Sequence, residues 1–152
     1  MERIKYLELP EGMFEHLRSI EDYITKSSLP TSLLLLAKLR VSQINGCAYC
    51  IDMHHKELKH LGETDLRLVL LAAWEEADLF TNSEKAVLHY AEALTKIDHH
   101  PLPETVFKEL ATYFNKSEIS YISLAITQIN TWNRLMKAFG FTPGNYVVPQ
   151  SS

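Results

Sequence analysis

The chain has 152 residues, 46% of them hydrophobic and 22% charged, with a formal net charge of −4. That length suits one domain spanning residues 1–152, with enough apolar material for a core without disulfides, and the composition is not that of a disordered segment. The acidic balance and the scatter of Lys and Arg argue against a nucleic-acid partner, because no basic stripe appears. The longest unbroken apolar run, Leu68 to Trp74, falls far short of the roughly 20 residues of a membrane span. The N-terminal Met1-Glu2-Arg3-Ile4-Lys5-Tyr6 lacks the apolar stretch of a signal peptide, so a cytoplasmic protein with no membrane partner is expected.

Taken in order, the pattern predicts an all-α fold of six to seven helices, since almost nothing alternates with the period of two that a strand needs. Met13 to Lys26 places Phe14, Leu17, Ile20 and Ile24 on one side. Pro30 and Thr31 open a second helix, Ser32 to Ile44, apolar almost all round and therefore central. Asn45-Gly46 ends it and hands the chain to a third helix, which starts near Gly46 and Cys47, runs to about Leu61 and stops at Gly62. Thr64 or Asp65 opens a fourth through Leu66, Leu70, Ala73 and Trp74. Asn82 or Ser83 caps a fifth that reaches Ile97. Residues 98–103 form a loop, and Thr105 to Phe114 a shorter helix. Ser117 and Glu118 open the last long one, which ends at Phe139 before Gly140. The tail from Asn145 to Ser152 is expected to be loose or to pack on a neighbouring subunit. Ser42-Gln43-Ile44-Asn45 is echoed by Thr127-Gln128-Ile129-Asn130, which suggests two helices in comparable surroundings with bonded amides.

The chemistry concentrates in the third helix. Cys47 and Cys50 are three apart and Cys50 and His54 four apart, so all three share one face. Leu58 and Leu61 continue that face as an inward stripe. Cys47 falls in the first helical turn, where free backbone N–H groups and the dipole favour a thiolate. Helix N-termini, cationic histidines and Cys-X-X-Cys spacing all lower a thiol pKa, and in a reducing compartment such a pair is redox-active or metal-binding rather than a staple.

The run Leu39 to His54 strongly resembles the alkylhydroperoxidase D-like branch of the carboxymuconolactone decarboxylase family. Ile129-Asn130-Thr131-Trp132-Asn133-Arg134 resembles the Asn-x-Trp-Asn-Arg signature of one of its subgroups. The resemblance implies an AhpD-like helical bundle, assembled as a homo-oligomer such as a trimer or hexamer, that reduces organic hydroperoxides through a dithiol–disulfide cycle. It further implies that Cys50 attacks the peroxide, that Cys47 resolves the sulfenic acid and donates a proton, and that His54 belongs to the proton relay. An external dithiol or a thioredoxin-like protein would restore the thiols. The family motif carries a glutamate twelve residues before the first cysteine, where this chain has Leu35. Glu75, Glu76 or Glu84 are the candidates to supply the missing carboxylate from another helix.

Several alternatives stand beside this reading. Two thiolates with an imidazole can hold zinc, and His55, or His99 and His100, would complete such a site. The pair can also serve as a sensor without efficient turnover. Decarboxylase or lactone chemistry is open to the family but calls for acid and base groups rather than a dithiol. Trp132, Asn133 and Arg134 read as pocket or interface lining, or as packing and an ion pair. Tyr49 either closes over a cleft or packs. No glycine-rich phosphate loop is present, so no organic cofactor is expected.

Overall fold

A helix that is apolar on nearly every side can be stable only if other elements cover it, and one such helix, with a second long one apolar on two faces, organises this chain. The computed structural model describes residues 2–149 and contains no strand among them. Its seven helices are α1 (Met13–Ile24), α2 (Thr31–Asn45), α3 (Ala48–His60), α4 (Asp65–Leu70), α5 (Asn82–Thr95), α6 (Glu104–Tyr113) and α7 (Lys116–Phe139). Helix α2 packs against α3, α5 and α7, and α7 in turn reaches α1, α3, α5 and α6.

The two sides of α2 belong to different clusters. Leu33, Leu34, Ala37 and Val41 join the larger core with Phe14, Val87, Leu110, Ile122, Ile126 and Ile129. Leu36 and Leu39 join a second core with Leu58, Leu68, Leu71, Trp74 and Leu88. Each such leucine or isoleucine removed from water contributes roughly 1.5–3 kcal/mol before the cost of ordering it.

The expected elements are present, with local differences that have physical causes. The fourth segment breaks: α4 ends at Leu70 and a 3-10 stretch, Leu71–Glu76, follows, with Ala73 at φ −129° and ψ 39°. The tighter winding lets Leu71 and Trp74, three residues apart, face the same core, and the Trp74 indole donates to Glu92 at 2.7 Å. Thr81 rather than Asn82 or Ser83 caps α5, in a reciprocal box with Glu84. Asn115 does the same for α7 with Glu118, two residues ahead of the expected opening at Ser117. Helix α1 ends at Ile24 rather than Lys26. Leu61 is half exposed rather than inward, because α3 ends at His60 before it.

The echoed segments touch. Asn45 donates to the side-chain oxygens of Asn130 and Asn133, both at 2.9 Å, and Asn130 donates to Thr95 at 3.1 Å. These amides tie the end of α2 to the middle of α7.

The corner between α2 and α3 places the cysteines. Gly46 lies at φ 61°, and its N–H bonds the Gln43 carbonyl while the Cys47 N–H bonds that of Ser42. That is the paired closure of a helix on a left-handed residue. Cys47 therefore finishes one helix and caps the next. An added Cβ at Gly46 would meet only Lys137 Nζ, at an ordinary 3.8 Å, so the penalty for a side chain there is backbone strain alone. Gly46→Ala is accordingly expected to lower the urea unfolding free energy by about 1–2 kcal/mol; an unchanged midpoint would show that the corner does not depend on this conformation.

Candidate functional site

Cys47 is the N-cap of α3 and Cys50 lies in its first turn, both 1% exposed. Both are free thiols, with the sulfurs 2.7 Å apart. One turn on, His54 is 4% exposed. Its Nδ1 bonds Glu57 at 2.7 Å, while its Nε2 is buried with no partner among the described residues. The other Glu57 oxygen accepts from the Tyr146 hydroxyl at 2.8 Å. Tyr146 reaches that point because Lys56 donates to the carbonyls of Gly144 and Tyr146 and Asp52 accepts the Gly144 N–H.

Cys50, His54 and Glu57 line a cavity of about 560 Å³. Its walls are mostly aromatic and aliphatic, with Phe14, Tyr49, Met53, Trp132, Phe141 and Tyr146 among them. Tyr49 packs edge-on against Phe141 and Phe14 edge-on against Trp132. A buried ion pair is set into the wall: Lys38 donates to Glu21 at 2.5 Å, and Glu21 also accepts from the Trp132 indole at 2.9 Å.

The two thiols divide one negative charge unequally. The Cys47 thiol is lowered to about 7, first by the hydrogen bond from Cys50, against burial, and then by the Cys50 amide, Lys137 and Asn133. Cys50 is driven the other way, first by that same hydrogen bond, then by burial and by the charge on Cys47. When the pair loses a proton, the charge therefore rests mainly on Cys47, with the Cys50 thiol donating to it. The Asn133 amide, completely buried, favours ionisation of both sulfurs. Burial pushes the Glu57 carboxyl up, but the bonds from His54 and Tyr146 and the charge of Lys38 outweigh it and hold it below the usual range. An ionised Glu57 accepts from Nδ1–H, which leaves the Nε2 lone pair of a neutral His54 as an open acceptor.

The three residues expected to share a face do so. The carboxylate comes from Glu57 on their own helix, not from another: Glu75 and Glu76 are exposed, and Glu84 is held by Arg67 at 2.8 Å. Leu35 lines the cavity one turn before Lys38. Among the described residues Arg134 forms no ion pair and instead bonds Asn130, at 2.8 Å to the side chain. His99 and His100 do not meet the cysteines. Among the described residues, ligand atoms of three His, Cys, Asp or Glu side chains gather within 4.8 Å only at the exposed Asp98, His99 and His100. Tyr146 packs on its own chain, and residues 150–152 of the tail lie outside the described residues. No helix among the described residues is long and apolar enough to cross a membrane. Sequence reasoning missed Lys38, Glu57 and Tyr146. The i, i+3 spacing of His54 and Glu57 was the one signal that could have found any of them.

Comparison with known proteins agrees with the geometry. Residues 11–93 match the carboxymuconolactone decarboxylase family. The chain is 38% identical over 140 residues to the uncharacterized protein YdfG of Bacillus subtilis (strain 168), covering 91% of this chain and 95% of that one. A protein of unknown function from Agrobacterium tumefaciens, described as a candidate antioxidant defence protein AhpD, superposes with a TM-score of 0.91 at 36% identity. The match covers 96% of this chain and all of that one. The alkylhydroperoxidase AhpD core of an uncharacterized peroxidase-related protein from Ralstonia eutropha JMP134 shares the fold at a TM-score of 0.76 and 20% identity, over 87% of this chain and 70% of that one.

The shared proton has a spectroscopic signature. Thiolate absorbance at 240 nm is expected to rise by one equivalent between pH 5 and 9, centred near pH 7. Cys50→Ala removes the largest cause of the lowering, and the midpoint is expected to move up toward the free-thiol value of about 8.5. Two thiols titrating together near that higher value would refute the unequal sharing.

Proposed function

Because the chain belongs to the carboxymuconolactone decarboxylase family and has its alkylhydroperoxidase D-like fold, we propose that it reduces organic hydroperoxides through a Cys47/Cys50 dithiol–disulfide cycle. The observation that carries this reading is the placement of two reduced sulfurs 2.7 Å apart, with Cys50 on the wall of a largely apolar cavity. A hydroperoxide entering that cavity meets Cys50, and a sulfenic acid formed there has its partner thiol already within reach of the roughly 2.05 Å of a disulfide.

The proton traffic falls to His54. The buried pair carries a single negative charge, so the shared proton passes to Cys47 as Cys50 becomes the attacking thiolate. The Cys50 thiolate attacks the outer peroxide oxygen, the O–O bond breaks, and Cys50 becomes a sulfenic acid. His54 Nε2 carries the Cys47 proton to the departing alkoxide, its imidazolium held by Glu57 through Nδ1, and the alkoxide leaves as an alcohol. Cys47, now a thiolate, attacks the Cys50 sulfur and displaces hydroxide, which takes a proton from solvent. One hydroperoxide and two thiols give one alcohol, one water and one disulfide. With a thiol lowered to about 7, Cys47 can both give up its proton and act as the resolving thiolate. An external dithiol or thioredoxin-like protein completes the cycle, and a homo-oligomer, trimer or hexamer, is part of the proposal.

Free thiols counted on zinc-assayed protein before and after one equivalent of cumene hydroperoxide are expected to fall from two to none and to return with a dithiol. Cys50→Ser is expected to abolish sulfenic acid formation, whereas Cys47→Ser leaves a sulfenic acid that dimedone traps. His54→Gln should slow the reaction by roughly 10²-fold. Thiols that survive peroxide beside stoichiometric zinc would replace this reading with a metal site.

A further inference from the structure

The charged groups on the cavity wall are not matched one to one. Glu21 is neutralised by Lys38 and bonded by Trp132, and Glu57 is held by His54 and Tyr146. Arg18 also lines the cavity, on its exposed side, yet among the described residues no carboxylate lies within ion-pair distance of it. Its guanidinium rests over the Tyr6 ring, 5.8 Å from the centroid. That contact orients the group without discharging it. Cys50 and His54 stand on the buried part of the same wall. The cavity therefore has a reactive end away from water, an aromatic middle, and one unmatched cation where it opens.

Resting on the peroxidase reading, we infer that the substrate class is a carboxylate-bearing amphipathic hydroperoxide, with its apolar body against Phe14, Tyr49, Trp132 and Phe141 and its carboxylate on Arg18. A volume of about 560 Å³ is within the range of sites for drug-sized ligands and well beyond the needs of hydrogen peroxide. A guanidinium receives a carboxylate through two parallel N–H bonds, which fixes the far end of the molecule. The hydroperoxide is thereby directed inward, toward Cys50 and the open Nε2 of His54.

Binding can be tested without the reaction. The reduced full chain is titrated with 4-phenylbutyrate and with its neutral primary amide, following Trp132 fluorescence and heat. The acid is expected to bind roughly three- to tenfold more tightly than the amide, the range for a charge-assisted contact at a partly wet mouth. Arg18→Gln should collapse that difference, and Arg18→Lys should restore part of it. Equal binding of acid and amide, or an equal loss of both in Arg18→Gln, overturns the inference. Turnover of linoleate hydroperoxide against its methyl ester separates the two claims. Peroxide consumption with no preference for the acid sinks the substrate class alone. Charge-dependent binding with no consumption sinks the peroxidase reading and leaves the ligand class standing.

Discussion

Two sulfurs 2.7 Å apart with one acidic proton between them form the constraint on which the rest of the site depends. Such a pair cannot hold two negative charges in a buried setting, so ionising one sulfur forbids ionising the other. Which sulfur ionises is set by the hydrogen bond between them together with burial, and the first-turn amide and Lys137 add to the bias toward Cys47. Cys47 caps α3 and faces the free amides of the first turn, whereas Cys50 is inside that turn and meets the cavity. The asymmetry follows from the corner at Gly46, which lets one residue end α2 and begin α3 with no linker. Moving that corner by one residue would rotate the sulfurs by about 100° and remove Cys50 from the cavity wall.

The replacement of the motif glutamate by Leu35 does not leave the imidazole without a carboxylate. Glu57 sits three residues beyond His54 on the same helix, and this i, i+3 pair requires no second element to position it. What it requires is company for a half-buried anion. Tyr146, 89 residues away, supplies one bond, and Lys38 adds its charge. The tail is held for this purpose by Asp52 and Lys56, which grip the backbone around Gly144. The price of moving the carboxylate is that the C-terminal segment becomes part of the site.

How far the chain could be read in advance follows from the range of each interaction. Cys47, Cys50 and His54 share a face by helical arithmetic, and the central position of α2 follows from its almost all-round apolar character and that of α7 from its two apolar faces; the structure agrees on both. The break after Leu70 was not legible, because the apolar run from Leu68 to Trp74 fits either winding and only the packing of Leu71 and Trp74 selects the tighter one. Lys38 was hidden in a leucine-rich helix, where a single lysine normally reaches solvent; here it is 8% exposed because Glu21 of α1 receives it. Tyr146 lay in a tail with no periodicity at all. Glu57 was within reach of the same helical arithmetic and was passed over, whereas Lys38 and Tyr146, whose partners arrive from distant segments, were not legible.

The Lys38–Glu21 pair clarifies why the cavity wall is polar at one place and not throughout. A buried ion pair commonly adds little stability over apolar residues of the same volume, because desolvation offsets the attraction. Its worth here is directional. Glu21 uses one oxygen on Lys38 and the other on Trp132, which locks the indole plane against Phe14. Lys38 spends one of its three donors on Glu21, and its charge helps keep Glu57 ionised. A single buried pair thus fixes an aromatic wall on one side and the state of the histidine's carboxylate on the other. An apolar substitute for the pair would fill the same space but would leave Trp132 free to turn and Glu57 freer to protonate. With a protonated Glu57, the imidazole would lose the charge that makes its far nitrogen a base.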